Sequence, residues 1–399
     1  MKRRVSAVVG LAMVAACLFS VSCLSAETLP PPSTNNPAAT LEELARLDPA
    51  LAQELEKLKI RRWDVTVNVA LGAGYKDNVL LSRDNKQASP FLRLGAEATV
   101  LRLPQNGWTF SSLVSWEDYR YTRPLAVDRE QTGMALAEIK KAFTDSAEVA
   151  LRGQYLYLDQ VLDLSDQQGI IQPLPVRLHS PQPRLISRLE LGRNYFAELE
   201  MGGALYEYQT PVDDFWEAGP QLKLGRRYGN RSEISLGFEY NHRWYDTRRA
   251  TDATGLPLAA MPLEYSQKKT MLTWRHHWDE KHRWRTTLRL RLDHSADNGA
   301  DYYTYWKYSI QPQLRYQQAG WHVQTGARWT YYDYPRQPLY AGSGAHYQRS
   351  ELDLTLNGEI KLNRELRFQW EYRWERNDSN LILSEYRAHT VWAGVIWEF

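Results

Sequence analysis

The sequence predicts an all-β protein, a transmembrane antiparallel up-and-down β-barrel of about 16 strands with a short N-terminal helical segment. Three observations lead to this prediction. Hydrophobic residues recur at every second position from residue 62 almost to the end of the chain, the connections between these segments alternate in length, and the chain ends on an aromatic residue within a strand pattern. Transmembrane barrels show this pattern because lipid-facing apolar residues alternate with lumen-facing polar residues.

The composition suits a barrel better than helical membrane spans. The 399 residues include 15 Trp and 24 Tyr, yet 24% are charged and the mean hydropathy is −0.56. An alternating strand keeps the mean hydropathy low although one of its faces is apolar. The formal net charge is only +2, and no Lys/Arg run follows the N-terminus. We therefore expect no nucleic-acid partner.

Residues 1–26 have the form of a secretory signal peptide. Three basic residues at positions 2–4 precede an apolar run over residues 5–19, which is too short for a membrane-spanning helix. Cys17 and Cys23 are the two cysteines of the chain, so cleavage after Ala26 would leave neither thiol nor disulfide. An alternative stays open, because residues 14–17 resemble a lipoprotein signal box that would make Cys17 the lipidated first residue.

Residues 27–61 predict a periplasmic linker followed by a short helix. Residues 29–37 are rich in proline, which favours an extended linker. Thr40 and Glu43 form a capping box, and leucines then recur at helical spacing up to Leu58. The helix could dock a partner, support an oligomer or plug the barrel, or it could be a solvated leader whose apolar stripe rests on the barrel rim.

The barrel domain is predicted to cover residues 62–399. In its first strand Trp63, Val65, Val67, Val69 and Leu71 alternate with polar or small residues over about ten positions, the length that a tilted membrane-spanning strand needs. The pattern recurs in residues 92–103, 108–119, 132–143, 147–157, 184–192, 196–206, 215–224, 233–245, 268–278, 283–294, 303–316, 321–332, 350–362, 366–375 and 387–399.

The connections predict the orientation of the barrel. Short turns containing Gly, Asn or Asp occur at residues 104–107, 144–146, 193–194, 227–230, 279–282, 317–320 and 363–365. Longer polar connections occur at residues 77–88, 159–183, 246–263 and 335–346. Barrels of bacterial outer membranes have short periplasmic turns and long outer loops, so we expect both termini in the periplasm.

Two short motifs carry family resemblances. Gly394, Trp397 and the final residue Phe399 resemble the C-terminal assembly signal of bacterial outer-membrane β-barrels, which implies outer-membrane lipid and the barrel-assembly machinery as partners. Residues 74–79 (Gly-Tyr-Lys-Asp-Asn-Val) are similar to the end of the first strand in barrels of the putative β-barrel porin 2 type. They are also similar, more weakly, to the barrel of surface lipoprotein assembly modifiers, although this chain lacks the long tetratricopeptide region that usually precedes that barrel.

The alternation also predicts which charged residues line the lumen. The basic residues of this set form what we call the basic wall: Arg275, Arg285, Arg289, Arg291, Lys307, Arg315 and Arg328. The acidic residues are Glu198, Glu200, Glu233, Glu239, Glu351, Asp353 and Glu371. Opposed walls of charge would orient dipolar solutes and tune ion selectivity in an open pore. In a plugged barrel, the same residues would pair across strands.

The connection over residues 159–183 is the predicted constriction loop. It carries Asp159, Asp163 and Asp166 together with an apolar stretch that a solvated outer loop would not need. A loop folded into the barrel mouth could bury that stretch against the strands. An ordinary surface loop is the alternative.

The sequence predicts no enzyme and no cofactor. Asp293, His294 and Ser295 are consecutive, so alternation points Asp293 inward and His294 outward, and no nucleophile is assembled with its base. His276 and His277 diverge in the same way, so no metal site is expected. Two functions fit the barrel: a porin-like channel for passive diffusion of small hydrophilic solutes, or an export or assembly barrel for exopolysaccharide or surface lipoprotein.

Overall fold

The computed structural model describes residues 62–123, 126–163, 173–209, 212–229, 231–340 and 343–399. The predicted signal peptide over residues 1–26, the predicted linker and helix over residues 27–61, and Asp166 of the predicted constriction loop lie outside the described residues. In the described part, helical structure is limited to a 3₁₀ turn at Ile382–Ser384. Within the described residues, no helix is long and apolar enough to cross a bilayer.

The alternating segments form 16 strands. They are β1 (Trp63–Lys76), β2 (Ser89–Gln105), β3 (Trp108–Tyr121), β4 (Arg129–Thr144), β5 (Ala147–Leu162), β6 (Leu174–Gly192), β7 (Tyr195–Tyr208), β8 (Phe215–Tyr228), β9 (Ser232–Thr251), β10 (Pro257–His277), β11 (Trp284–Asp297), β12 (Tyr305–Gln318), β13 (Trp321–Pro338), β14 (His346–Lys361), β15 (Leu366–Ser379) and β16 (Tyr386–Glu398). The predicted fold class and strand number are confirmed.

The strands form one closed antiparallel barrel in which each pairs with its sequence neighbours and β16 pairs with β1. That last pairing runs from Asn68 opposite Glu398 to Lys76 opposite Thr390. Beyond it, the backbone N–H of Phe399 donates to the carbonyl of Val67 at 2.9 Å. Closure removes the free sheet edge that would otherwise pair with another chain.

The outer surface of the barrel is apolar. On β1, Val65 is 56% exposed and Leu71 47% exposed, although both are large hydrophobic residues. The strand pairs keep residues of one face opposite each other, for example Leu71 opposite Leu94 and Gly72 opposite Arg93. A continuous apolar belt around a closed barrel is the surface that outer-membrane-type barrels turn toward lipid.

The turns sort by length as the sequence predicts. Asn106 and Gly107 at the β2–β3 turn have φ of 50° and 75°, the left-handed backbone that two-residue hairpins require. At the β10–β11 turn, the N–H of Trp284 donates to Asp279 at 2.9 Å, and this hydrogen bond lowers the pKa of the Asp279 carboxyl below its usual value. Most connections on the other side of the barrel are longer, such as the one over residues 77–88, whereas the connection over residues 252–256 between β9 and β10 is shorter than the β10–β11 turn.

Three of the predicted long loops are shorter than expected. In place of the loop over residues 159–183, β5 continues to Leu162 and β6 begins at Leu174. In place of the loop over residues 246–263, β9 and β10 form a hairpin whose register shifts around Pro262. In place of the loop over residues 335–346, β13 runs to Pro338. Prolines and polar residues interrupt the alternation there, while backbone pairing continues, without a register shift between β5 and β6 and with register shifts in the other two hairpins.

The lumen is partly filled near the long connections. One apolar cluster lies on the inward faces of β5–β10 and includes Phe215 and Leu263, both 0% exposed. A second cluster joins Val79 of the β1–β2 loop to Phe91 and Trp392. A third consists of four tyrosines on β12–β14. The open space inside the barrel is therefore narrower than the space that 16 strands enclose.

Candidate functional site

The candidate site is a cavity of about 560 Å³ inside the barrel. Its lining comes almost entirely from β11–β16 and β1–β5, which adjoin at the β16–β1 pair and form one continuous arc of the barrel wall. The volume falls within the range of about 300–1,000 Å³ that ligand sites occupy. Many of the lining side chains are charged, so the cavity suits polar solutes better than apolar ones.

The register places every residue of the predicted lumen set on the inward face, because paired residues share a face. Glu239 lies opposite Lys269, Lys269 opposite Asp293, and Asp293 opposite Lys307, so one inward row crosses four strands. Those that line the cavity are Arg289, Arg291, Lys307, Arg328, Glu351, Asp353 and Glu371. Those on the same face but outside its lining are Arg275, Arg285, Arg315, Glu198, Glu200, Glu233 and Glu239. A role in lining a solute path stays a prediction for all of them.

The acidic residues of β7–β9 are paired with basic residues of neighbouring strands. Glu200 accepts from Arg184 at 2.8 Å, Glu239 from Lys269 at 2.7 Å, and Glu198 from Arg188 at 3.5 Å. Glu233 lies 3.9 Å from Lys223. The negative charge expected on this side of the lumen is therefore neutralised. Here the acidic residues pair with basic residues across strands, which is the alternative to an acidic wall.

Ion pairs also neutralise acidic lumen residues on β14 and β15. Glu351 lies 2.9 Å from Arg349, Glu375 lies 2.5 Å from Arg373, and Asp353 forms an ion pair with Arg328. Each of these contacts joins groups that face the cavity. This part of the lumen therefore presents alternating charges rather than a single negative surface.

The basic wall differs, because its inward row on β11 carries Arg285, Arg289 and Arg291, which have no carboxylate directly opposite. Arg285 lies between His277 and Arg315. The other two face neutral residues on both sides: Thr273 and Gln311 for Arg289, Met271 and Ser309 for Arg291. The first inward carboxylate along β11 is Asp293, which accepts from Arg291 Nε at 2.7 Å.

A buried ion pair crosses the lumen. Asp163, just after β5, accepts from Arg349 Nη1 on β14 at 2.7 Å and from Asn377 Nδ2 on β15 at 3.2 Å. The side chains of Arg349 and Asp163 are 1% and 6% exposed. β5 and β14 lie on opposite sides of the ring of strands. The start of the β5–β6 connection is therefore anchored to the far wall of the barrel.

Of the predicted constriction residues, Asp163 thus reaches into the lumen and Asp159 does not. Asp159 belongs to β5, shares the outward face with Gln131, and binds Arg177 at 2.9 Å. The alternation predicts that β5 ends near Tyr157, and this is wrong because its pairing with β6 continues to Leu162.

Several cavity residues were missing from the predicted set. Glu130 receives hydrogen bonds from Lys76 at 3.1 Å and from the Tyr121 hydroxyl at 2.7 Å. Arg93 lies over the ring of Trp392 at 4.0 Å, a cation–π contact. The same alternation that identified β11 would have pointed Arg93 inward.

The candidate catalytic residues are not brought together. Asp293 faces the lumen, whereas the ring of His294 faces outward, 4.3 Å from that of Trp306. His276 faces outward against Trp274, and His277 faces inward. Within the described residues, no group of three or more His, Cys, Asp or Glu could hold a metal ion.

Solved outer-membrane barrels resemble this structure. OprB of Pseudomonas putida has a TM-score of 0.45 and 11% sequence identity, with 88% of this chain and 96% of that chain covered. OccAB1 of Acinetobacter baumannii has a TM-score of 0.42 and 7% identity, with 85% and 97% covered. A bacterial polysaccharide outer membrane secretin has a TM-score of 0.43 and 11% identity, with 84% and 97% covered. No family model and no curated protein matches the sequence.

Proposed function

We propose that the protein is a porin-like channel of the bacterial outer membrane, with both termini in the periplasm, through which small hydrophilic solutes diffuse passively. The observation that supports the proposal is the charged cavity inside the closed barrel. A barrel of 16 strands encloses more space than its own side chains fill. The remaining space is bordered by ionised and hydroxyl groups that replace part of a solute's hydration.

The width of the path sets the size of the solute. The apolar clusters near the long connections and the contact between Asp163 and Arg349 occupy part of the lumen. Solutes of the size of a metabolite fit the cavity of about 560 Å³, whereas a folded protein does not. No cofactor is needed for passive diffusion.

Two partners belong to this proposal. Outer-membrane lipid would contact the exposed apolar belt. The barrel-assembly machinery would recognise the end of β16, where Gly394, Trp397 and Phe399 lie. Trp397 faces outward opposite Val69 of β1, so its ring is accessible along the closing seam.

The test is conductance of the refolded full-length protein in planar bilayers. We expect stepwise currents that rise in proportion to voltage and to salt concentration, as in a water-filled pore. Folding is checked separately by the shift in gel mobility between heated and unheated samples. A folded barrel that carries no current would overturn the channel.

A second candidate is an export or assembly barrel for exopolysaccharide or surface lipoprotein. The row of arginines on β11 supports this candidate, since a polyanionic chain could extend along it. Residues 41–60 would then dock periplasmic partners. This function predicts no current from the folded barrel but retention of dextran sulfate, a polyanion, and not of uncharged dextran.

A further inference from the structure

The charged side chains that β1–β4 contribute to the cavity are joined in ion pairs. Lys76 Nζ lies 3.1 Å from Glu130, and Arg93 Nη2 lies 2.6 Å from Glu117. The hydroxyl of Tyr121 also donates to Glu130, at 2.7 Å. All of these groups line the cavity. The two pairs therefore add hydrogen-bonding groups of both kinds to this part of the lining without adding net charge.

Basic lining residues of β11–β15 have carboxylate partners as well. The pairs are Arg291–Asp293 at 2.7 Å, Arg328–Asp353, Arg349–Asp163 at 2.7 Å and Arg373–Glu375 at 2.5 Å. Arg289 stands apart, because the residues opposite it are Thr273 and Gln311. Ion pairs therefore surround the cavity along most of its arc.

A lining of paired charges affects ions and neutral solutes differently. An ion that enters the cavity gives up part of its hydration, and this costs free energy unless an opposite charge replaces the water. The lining charges that could compensate an ion are mostly engaged with one another. A neutral solute needs only hydrogen bonds in place of those it made with water. The pairing therefore favours polar solutes that carry no charge.

The paired groups keep capacity for further hydrogen bonds. Arg93, for example, donates through Nη2 to Glu117 at 2.6 Å and through Nε to Tyr119 at 3.2 Å, and it carries further N–H groups on Nη1. Neutral hydroxyl and amide side chains also line the cavity: Thr132, Gln160, Ser309, Gln311, Thr330 and Thr390. Donors and acceptors are thus mixed closely around the space. This arrangement suits hydroxyl groups, because each of them both donates and accepts.

We propose that the cavity selects neutral polyhydroxylated solutes, the class of small sugars and polyols, over ions of similar size. The proposal rests on the proposed channel function and adds its substrate class. The hydroxyl groups of the solute exchange hydrogen bonds with the lining in place of water, whereas an ion meets charges that are already compensated. Selection then depends on the balance of charge, so it is lost when one partner of a pair is removed and kept when both are removed.

The test compares uptake of radiolabelled glucose, glucuronate and glucosamine by proteoliposomes that hold the refolded full-length protein. In mildly acidic buffer the first is neutral, the second is an anion and the third is a cation, and their sizes are similar. Potassium and valinomycin hold the membrane potential at zero. We expect glucose to enter about fivefold faster than either ion. Uptake of either ion as fast as glucose would overturn the proposal.

Two matched double variants test the role of charge balance. Glu117→Gln with Glu130→Gln leaves Arg93 and Lys76 without these partners and should raise the ratio of glucuronate uptake to glucosamine uptake by about fivefold. Arg93→Gln with Lys76→Gln leaves the two carboxylates instead and should lower that ratio by a similar factor. An unchanged ratio in both folded double variants would overturn the proposal.

A fourfold variant removes both partners of each pair. Breaking a buried pair destabilises a protein more than removing the whole pair does, so gel mobility before and after heating checks that each variant is folded. With Lys76, Arg93, Glu117 and Glu130 all replaced by glutamine, the barrel should still take up glucose faster than both ions, whatever the rate of each. If neither double variant folds, the fourfold variant decides, and uptake of an ion as fast as glucose would count against charge balance.

A further measurement separates this proposal from the channel itself. Glucose uptake without any preference over the ions would overturn the selection and leave the channel. If the folded wild type takes up none of the three solutes, binding of glucose is measured by saturation-transfer NMR in a detergent without sugar headgroups. A signal that Ser309→Trp abolishes, by filling the cavity, and that Tyr308→Trp on the outward face keeps would support a sugar site without the channel. An absent signal, or one that Ser309→Trp leaves unchanged, would overturn both.

Discussion

Asp163 and Arg349 place opposite buried charges in one contact that joins the two sides of the barrel. Removing one partner of a buried ion pair typically destabilises a protein by about 3–5 kcal/mol, because the other charge is left without compensation. Here Arg349 keeps a second carboxylate, Glu351, at 2.9 Å. The effect should therefore lie at the lower end of that range or below it, and what changes most is the anchoring of the β5–β6 connection.

We predict that Asp163→Asn increases single-channel conductance and makes the current noisier. The amide keeps the size of the side chain but loses the charge that holds it to Arg349, so the start of the connection is released from the far wall. The measurement is single-channel recording, with folding checked by gel mobility. The matched control is Asp159→Asn, because Asp159 pairs with Arg177 on the outward face. Equal conductance in all three proteins would contradict a constriction at Asp163.

At the scale of the strands, the seam between β1 and β16 depends on two facing glycines. Gly72 lies opposite Gly394. A Cβ on Gly394 would lie 2.4 Å from the backbone oxygen of Leu71, and one on Gly72 would lie 2.9 Å from that of Ala393. These distances are too short for real Cβ atoms, so the two strands would have to move apart.

We predict that Gly394→Ala and Gly72→Ala each lower the urea midpoint of the folded barrel, by a change of about 1–3 kcal/mol in unfolding free energy. If Gly394 acted only as part of a recognised C-terminal signal, Gly72→Ala would have no effect, because it lies at the other end of the barrel sequence. The control is Gly153→Ala, since a Cβ there meets nothing within 4 Å. Unchanged midpoints for both seam variants would contradict the steric account.

The number of strands follows from the alternation alone. So does the side of the sheet on which each residue lies, because pairing in register keeps each residue on one face across the whole sheet. The ends of the strands do not follow from it. β9 and β10 continue as a ribbon to Thr251 and Pro257, where Pro262 and polar residues interrupt the period. Hydrogen bonding between backbones sustains such pairing without any side-chain pattern.

For the candidate site too, the residues that could be predicted are those within clearly alternating segments. The basic wall was found because Arg285, Arg289 and Arg291 fall within a clearly alternating strand. Arg349 was missed because the alternation of β14 is clear only from Ser350, and its partner Asp163 lies seven strands away around the ring. Contacts across a lumen leave no periodic signal in a sequence.

At the scale of the molecule, the last residue extends the closing pair of strands. Phe399 exchanges backbone hydrogen bonds with Val67 of β1, and its side chain is 76% exposed. An exposed terminal aromatic contributes little to packing within the barrel. We infer that its ring is instead available to the partners of the proposed function, lipid and the assembly machinery.

We predict that deletion of Phe399 or Phe399→Asp sharply reduces the amount of folded barrel in the outer membrane, because the aromatic is lost and a charge stands at the lipid-facing end of the closing strand. The measurement is the heat-modifiable fraction in isolated outer membranes. Phe399→Trp, which keeps an aromatic ring, is the control and should assemble normally. Wild-type amounts of folded Phe399→Asp protein would contradict the prediction.

The pairing of β1 with β16 also fixes the order in which the barrel can fold. Every other strand pair joins neighbours in the chain, whereas this one pairs Asn68 near the start of the barrel with Glu398 near its end. Bringing distant segments together carries a larger loop-closure entropy than forming a hairpin, so distant pairs form slowly. The growing sheet must therefore exist for a time as a curved ribbon with two bare edges. Until β16 reaches β1, those two edges can pair with another chain.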